Sequence, residues 1–497
     1  MHVVPCSTRR RGSDRSRVKT NLIALGWLVF AGALAGAPVG GPTRHLFLDP
    51  ALVRESHGAA LVVNPPLREE RVLVPDRPWE QLMITFYTTV REEGGRLRMW
   101  YVCRDARNQP NVAYAESDDG LNWTKPELGI VEYEGGTANN LVGLHALEGA
   151  VYRDPRGAGD EQYVYVSAGS GGVFRFTSPD GLRWTRHDEP LVRFAPDTQT
   201  VAFWDNRRGK YRVYTRGKDP KAPYEHTLRR KVVLLETDSL VGRLGSDPKQ
   251  QPGVRMGDLP VMLQCDERDP PDVDVYTNSI QPYPIDPHWY VGFPALYRHF
   301  NANSPHFNDG RTEVQFVGSR DGVTWHRYGR EVYAGPGRPG PADGGMIFMG
   351  TGLVVRGDEI WQYGTRYRTT HGDKAGRARQ TDGSIHRFVQ RVDGFVSLDT
   401  GNEAGTARTV AIRVTGRRLL LNLDTGALGG MQVGLIGADG SPLPGFGVEA
   451  CRRLETNSTG AVVTWADGAG LSALQGREVT IEFRSQRTKL YSFRFED

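Results

Sequence analysis

At 497 residues, 38% hydrophobic and 24% charged, the chain is too apolar to be disordered and too polar to be a multi-span membrane protein. Its 60 glycines, 31 prolines, 19 tyrosines and 10 tryptophans point to many short strands joined by tight turns and exclude a long helical bundle. The net charge of +4 is concentrated in the first twenty residues, where Arg9, Arg10, Arg11, Arg15, Arg17 and Lys19 face only Asp14; the remainder is about −1 and carries no nucleic-acid footprint.

The basic start runs into an apolar segment, Leu22–Ala37, with small residues at Ala33 and Ala35 as a cleavage pattern. Residues 1–37 therefore read as a signal peptide or, if uncleaved, as an N-terminal membrane anchor. Either predicts export, to the periplasm or the extracellular space. Cys6 lies in this leader. Cys103, Cys265 and Cys451 are too widely spaced for a disulfide framework or a zinc site, and are expected as buried free thiols.

From Gln81 onward a diffuse repeat governs the sequence. Ser117–Trp123, Ser178–Trp184 and Ser319–Trp325 share the pattern S-x-D-G-x-x-W, and Thr237–Leu240 and Val392–Phe395 look like degenerate copies. Asp-Gly supplies a tight turn with a positive φ, and the Trp ring packs between neighbouring sheets. Three β-like runs precede each copy: Gln81–Val90, Arg96–Cys103 and Asn111–Glu116 in the first unit, and Gly149–Arg153, Gln162–Ala168 and Gly172–Thr177 in the second. With a fourth strand after each Trp, every unit makes a four-stranded blade, and five blades around an axis leave no long exposed edge. After Gly401–Thr409, read as a linker, six alternating runs between Val410 and Phe495 suit an antiparallel β-sandwich that buttresses the rest. The expected architecture is all-β: a five-bladed β-propeller over 45–399 followed by a C-terminal β-sandwich over 406–497.

In such a ring the starts of the innermost strands converge at one mouth of the channel. Acids stand there in three units: Glu80 before the first, Asp197 before the third and Asp274 in the fourth. Asn139-Asn140 and Asp343 occupy the other two starts. Three carboxylates around one funnel suit glycosidic hydrolysis, with one donating a proton, one attacking or activating water, and one stabilising charge. Asp49, just before the first unit, is a fourth candidate. Asp154, Asp205 and Asp358-Glu359 fall in hairpins at the opposite end and read as turn residues, Glu359 being held in reserve. Each of these acids, taken singly, is equally a strand-capping residue.

The loops after the second strands return to the same mouth, and Arg104, Arg216, Arg298 and Arg366 end those strands. Together they would favour an anionic sugar through bidentate pairing, or each would neutralise a neighbouring acid. His299, His306 and His371 lie beside them, Gln199 beside Asp197, and Trp79, Tyr276 and Tyr367 are candidates for stacking on sugar rings. No metal-ligand spacing is present, and no cofactor is expected, with a structural calcium ion left open.

With its repeated S-x-D-G-x-x-W turns, its acids heading inner strands and its trailing sandwich, the chain resembles the five-bladed propeller glycoside hydrolases, the group of arabinanases, β-xylosidases, invertases and levansucrases. The invertase-type Asn-Asp-Pro-Asn and Glu-Cys motifs are absent, so no substrate carries over. The resemblance implies a first-blade acid, Glu80 or Asp49, as nucleophile or base, Asp197 as transition-state stabiliser and Asp274 as proton donor. The expected protein is an exported glycoside hydrolase acting on a poly- or oligosaccharide, acidic ones included. Its partner is a carbohydrate rather than nucleic acid, and it meets a membrane only through an uncleaved leader. The alternatives are a non-catalytic carbohydrate-binding propeller, a sialidase-like enzyme with an arginine triad, and a polysaccharide lyase using Tyr276 or His371 as base.

Overall fold

The computed structural model describes residues 44–144, 148–194, 196–197, 199–218, 230–242, 255–300, 309–338, 343–373 and 381–497. The expected leader at 1–37, Cys6 and His306 lie outside the described residues. Among these residues regular structure is strand, interrupted by 3-10 turns of three or four residues. No described helix is long and apolar enough to cross a membrane.

The repeat units form antiparallel sheets close to the expected runs. The first pairs Met83–Glu93, Arg96–Arg104 and Pro110–Ser117; the second pairs Val151–Arg153, Tyr163–Gly169, Gly172–Ser178 and Thr185–Arg186. The third is Val201–Asp205, Lys210–Lys218, Arg230–Thr237 and Val261–Leu263. The fourth is split in two, with Val273–Val275, Ala295–Phe300, Asp309–Gln315 and Val332–Ala334 in one piece and Gln281–Pro282, Tyr290–Gly292 and Val317–Ser319 in the other. The fifth has Met346–Met349, Glu359–Tyr367 and Ser384–Arg391, but its outer strand is not downstream as expected. Arg68–Leu73, from before the first sheet, pairs with Ser384–Arg391. An outer edge needs a partner, and recruiting the N-terminal strand joins the two ends of the repeat array.

The repeated turns explain how the sheets meet. Ser117, Ser178 and Ser319 each accept the N–H of the glycine three residues on, at 2.8–2.9 Å. Asp119, Asp180 and Asp321 each accept two further backbone N–H groups at 2.7–2.9 Å. The carbonyl left on top then bonds to the preceding sheet. Tyr363 of the fifth donates to Gly120 at 3.1 Å, Trp100 of the first to Gly181 at 2.6 Å, and Tyr214 of the third to Gly322 at 2.8 Å. The degenerate copies do the same job differently: Arg156 of the second sheet donates to the Asp238 carbonyl at 3.2 Å, and Tyr283 of the fourth to the Asp393 carboxylate at 2.8 Å. Followed in order, the contacts run from the fifth sheet to the first and on round to the fifth. A cavity of about 490 Å³ is lined by Val90, Val151, Phe203, Gln281 and Val354 among others, from segments of several of these sheets.

Glycine is required in these turns twice over. Gly322 has φ +67°, and a Cβ there would stand 1.8 Å from Arg212 Nη1 and 2.5 Å from the Tyr214 hydroxyl. Gly322→Ala is therefore expected to cost about 2–4 kcal/mol, from left-handed backbone strain plus displacement of a fully buried arginine. Chemical denaturation of the variant against the native chain checks this.

The C-terminal strands also recruit the N-terminus. One sheet orders Ala59–Val63, Val396–Thr400, Lys489–Glu496, Arg418–Asp424 and Asn457–Val462, with Arg44–Leu46 on Lys489–Glu496. The other has Val53–His57, Gly405–Thr409 and Glu478–Gln486, with Ile412–Arg413 and Gly430–Ile436 on the last. Residues 45–63, expected in the repeat region, thus pair with the C-terminal strands, and Gly405–Thr409, expected as a linker, is a strand. Burial alternates along Glu478–Gln486, as one buried face demands. The core beneath, with Leu421, Val433, Phe483 and Phe493, is continuous with Phe293 and Phe316 of the fourth sheet. Phe316 stacks on Phe395 at 4.8 Å. Cys103, Cys265 and Cys451 are buried and free.

Candidate active site at the strand starts

The predicted acids separate. Glu80 is fully buried at the end of the 3-10 turn Pro78–Glu80. Its Oε1 accepts from the Tyr101 hydroxyl at 2.5 Å, and its Oε2 from the backbone of Asp76 and Arg77 and from Lys125 Nζ at 2.7 Å. Four donors leave it no capacity for substrate, so the expected catalytic role is corrected to a structural one. Trp79 belongs to the same network: its indole donates to Asn140 Oδ1 at 2.9 Å, and Asn140 donates to Tyr101 and to the Tyr114 carbonyl. It is not a stacking platform. Asp49 is also displaced, capping Ala51 and pairing with Arg320 at 2.8 Å beside the third full copy of the turn.

Asp197 stays exposed. It stands just before Val201–Asp205 with φ +82°, a left-handed conformation that Asp tolerates better than most residues and that often marks functional positions. Its side chain is 57% exposed, and Oδ2 pairs with Arg216 Nη1 at 2.7 Å. Lys218 Nζ lies 3.9 Å from the same oxygen. Arg216, itself buried, donates its other nitrogen to the Tyr276 carbonyl at 2.9 Å and lies 4.2 Å above the Tyr276 ring.

The sequence reading missed the second acid of this group. Glu148 lies three residues before the strand Val151–Arg153, whereas Asn139-Asn140 had been assigned to that start. The signal was present, since Glu148 immediately precedes the predicted run Gly149–Arg153. Its backbone is clamped, N–H to Ser167 Oγ at 3.0 Å and C=O to the Thr200 N–H at 2.6 Å, which ties it to the second and third sheets. Burial pushes the Glu148 carboxyl up to about 8, and the neighbouring Asp197 charge pushes the same way against Arg216, Arg104 and Lys218. Two acids on successive sheets thus share one field, one of them protonated at neutral pH and the other ion-paired.

Asp274 is not part of this pair. It is fully buried, and its Oδ2 accepts from Arg230 at 2.7 Å and lies 3.2 Å from His299 Nε2. It fixes Arg230 over the rings of Tyr276 and Tyr297, at 5.3 and 5.4 Å. Tyr276 completes the wall, its hydroxyl 3.0 Å from His371 Nε2. Gln199 is absorbed into the frame, its Oε1 accepting from the Asn278 and Ser279 backbones at 3.1 and 2.8 Å. The four strand-end arginines do not converge. Arg104 and Arg216 act on Glu148, but Arg298 pairs with Glu313 at 2.8 Å and Arg366 grips Glu69 on the N-terminal strand. Tyr367 is packed in the apolar cluster with Phe348 and Met83. Among the described residues no group of three or more His, Cys, Asp or Glu is placed to hold a metal ion.

No family model matches this sequence, and no curated protein matches it. Similar solved structures include an N-acetylgalactosamine deacetylase from F. plautii in complex with blood group B trisaccharide, at 15% identity and TM-score 0.45 over 67% of this chain and 96% of that one. Another is a glycoside hydrolase family 43 arabinoxylan arabinofuranohydrolase from Bacillus subtilis, at 13% identity and TM-score 0.37 over 84% and 96% of the two chains. A GH32 beta-fructofuranosidase from Bombyx mori in complex with sucrose is similar at 9% identity and TM-score 0.41, over 87% and 95%.

Proposed function

We propose that this chain is an exported glycoside hydrolase whose site lies at one mouth of a five-bladed β-propeller. The propeller spans residues 64–395, and the flanking strands, 44–63 and 396–497, form a β-sandwich that braces it. The closed circuit of turn contacts and the shared cavity support the ring. The observation that carries the reaction is the pairing of Glu148, its carboxyl raised to about 8, with the ion-paired Asp197. Two carboxyl groups with opposite protonation are what cleavage of a glycosidic bond needs. Glu148 gives its proton to the leaving oxygen. Asp197, aimed by Arg216, acts on the anomeric carbon as nucleophile or through a water it deprotonates. Tyr276, under the Arg216 guanidinium and bonded through its hydroxyl to His371, lies beside Arg216.

The substrate in this reading is an acidic glycan. With Arg230 paired to Asp274, the three cations Arg104, Arg216 and Lys218 face Asp197 and a neutral Glu148, so a sugar carboxylate or sulfate is the complementary charge. The test is release of reducing ends from polygalacturonate and from neutral arabinan by the native chain and by Asp197→Asn. Release from the acidic polymer, lowered about 10³-fold in the variant, is expected. Binding without release from any polymer in a broad panel would leave a carbohydrate-binding propeller and overturn the hydrolase.

A further inference from the structure

A second cleft, about 510 Å³, opens where the outer strand Val261–Leu263 meets the turn Ser319–Trp325 of the fourth sheet. It is lined by Trp325, Arg268, Arg327, Arg330, Asp266 and Gln264, among others. Trp325 is the third repeat tryptophan, and it departs from its two counterparts. Trp123 and Trp184 donate their indole N–H to the turn glycine carbonyl at 3.2 and 3.1 Å. All three turn carbonyls accept from a neighbouring sheet, but in the third copy alone the buried tryptophan N–H, that of Trp325, has no hydrogen-bond partner among the described residues. A buried donor left without an acceptor is costly, which sets this tryptophan apart from the other two copies.

The rest of the lining is rigid and planar. Arg327 grips Asp269 through both terminal nitrogens at 2.7 Å and also donates to Gln315 at 2.8 Å. Arg330 bridges Asp266 at 2.5 Å and Asp269 at 2.6 Å. Arg268 is exposed at the rim. Three guanidiniums against Asp266 and Asp269 leave the cleft net positive.

We propose that this cleft is a second saccharide-binding site, taking a segment of an acidic glycan with a sugar ring against Trp325 and its carboxylate or sulfate toward Arg268. An indole beside fixed hydrogen-bonding forks is the combination that a ring with one apolar face and many hydroxyls requires. The choice of ligand rests on the proposed function, whereas the site itself does not. Held here, a polymer stays attached to the protein while its chain passes the mouth.

The test is electrophoresis of the full chain through gels containing polygalacturonate or neutral arabinan, comparing Trp325→Ala and Arg268→Ala with the native protein. Each variant is expected to weaken retention by polygalacturonate at least about fivefold, the loss of one stacking or charge contact in a site of this kind, with no change in the arabinan gel. Arg268 is exposed, so its variant folds even if removal of Trp325 does not permit folding. Retention by polygalacturonate unchanged in Arg268→Ala, or lowered equally in both gels, overturns the proposal. Arg268-dependent retention in a chain that releases no reducing ends sustains it and removes the hydrolase reading instead.

Discussion

Glu148→Gln is expected to lower turnover by about 10²–10⁴-fold, the worth of a positioned general acid, and yet to make the protein more stable in alkaline solution. The sign follows from the raised carboxyl. Glu148 holds its proton up to about 8 in the fold, whereas its ordinary value is 4.5. Between those two values the native state binds a proton that the unfolded chain has released. Stability from this group is therefore full below pH 4.5 and falls steadily as pH rises to about 8. Glutamine cannot ionise, so the variant escapes that loss. Melting curves of both proteins across this range are expected to diverge in favour of the variant as pH rises. Parallel curves would mean that Glu148 is an ordinary surface acid, whatever its effect on rate.

The second large effect concerns Glu80 and is the opposite in kind. Glu80→Ala removes the acceptor of four donors at once and leaves the buried Lys125 ammonium with Asp76 as its remaining carboxylate partner. Breaking a buried pair from one side costs about 3–5 kcal/mol, so urea denaturation is expected to show a loss of that size. The protein that remains folded at low temperature should turn over substrate at the native rate, because nothing in this network reaches the mouth. Asp197→Asn should behave in reverse, keeping its stability and losing its turnover. A Glu80→Ala protein of native stability and no activity would restore the role that its sequence position suggests.

These two glutamates show why the fold was more legible than the site. The S-x-D-G-x-x-W copies mark turns whose geometry is fixed by local hydrogen bonds, and local geometry is what a sequence pattern reports. Strand bounds such as Arg96–Arg104 therefore fell within a residue or two of expectation. Pairings between distant segments left no such mark. Nothing near Arg68 announces that it will complete the fifth sheet, and nothing in Val53–His57 announces a partner in Gly405–Thr409.

Position along a strand does not report which way a side chain faces. Asp197, Arg216 and Tyr276 do lie close together, Arg216 pairing with Asp197 and resting on the Tyr276 ring. Glu80 and Asp274 occupy similar positions, but both are fully buried, the first at the end of a proline-initiated turn and the second held by Arg230 and His299. Glu148 was overlooked because two asparagines upstream made a more conspicuous start. The arginines divided according to whether a carboxylate on the same or an adjoining strand claimed them first, as Glu313 claims Arg298 and Glu69 claims Arg366.

The most direct measurement is the pH dependence of kcat/KM on the polymer that the native chain cleaves, recorded in parallel for Glu148→Gln. If Glu148 supplies the proton, the native profile falls tenfold per pH unit above about 8, and the residual activity of the variant shows no such fall. A variant whose profile descends with the native one would contradict Glu148 as the proton donor.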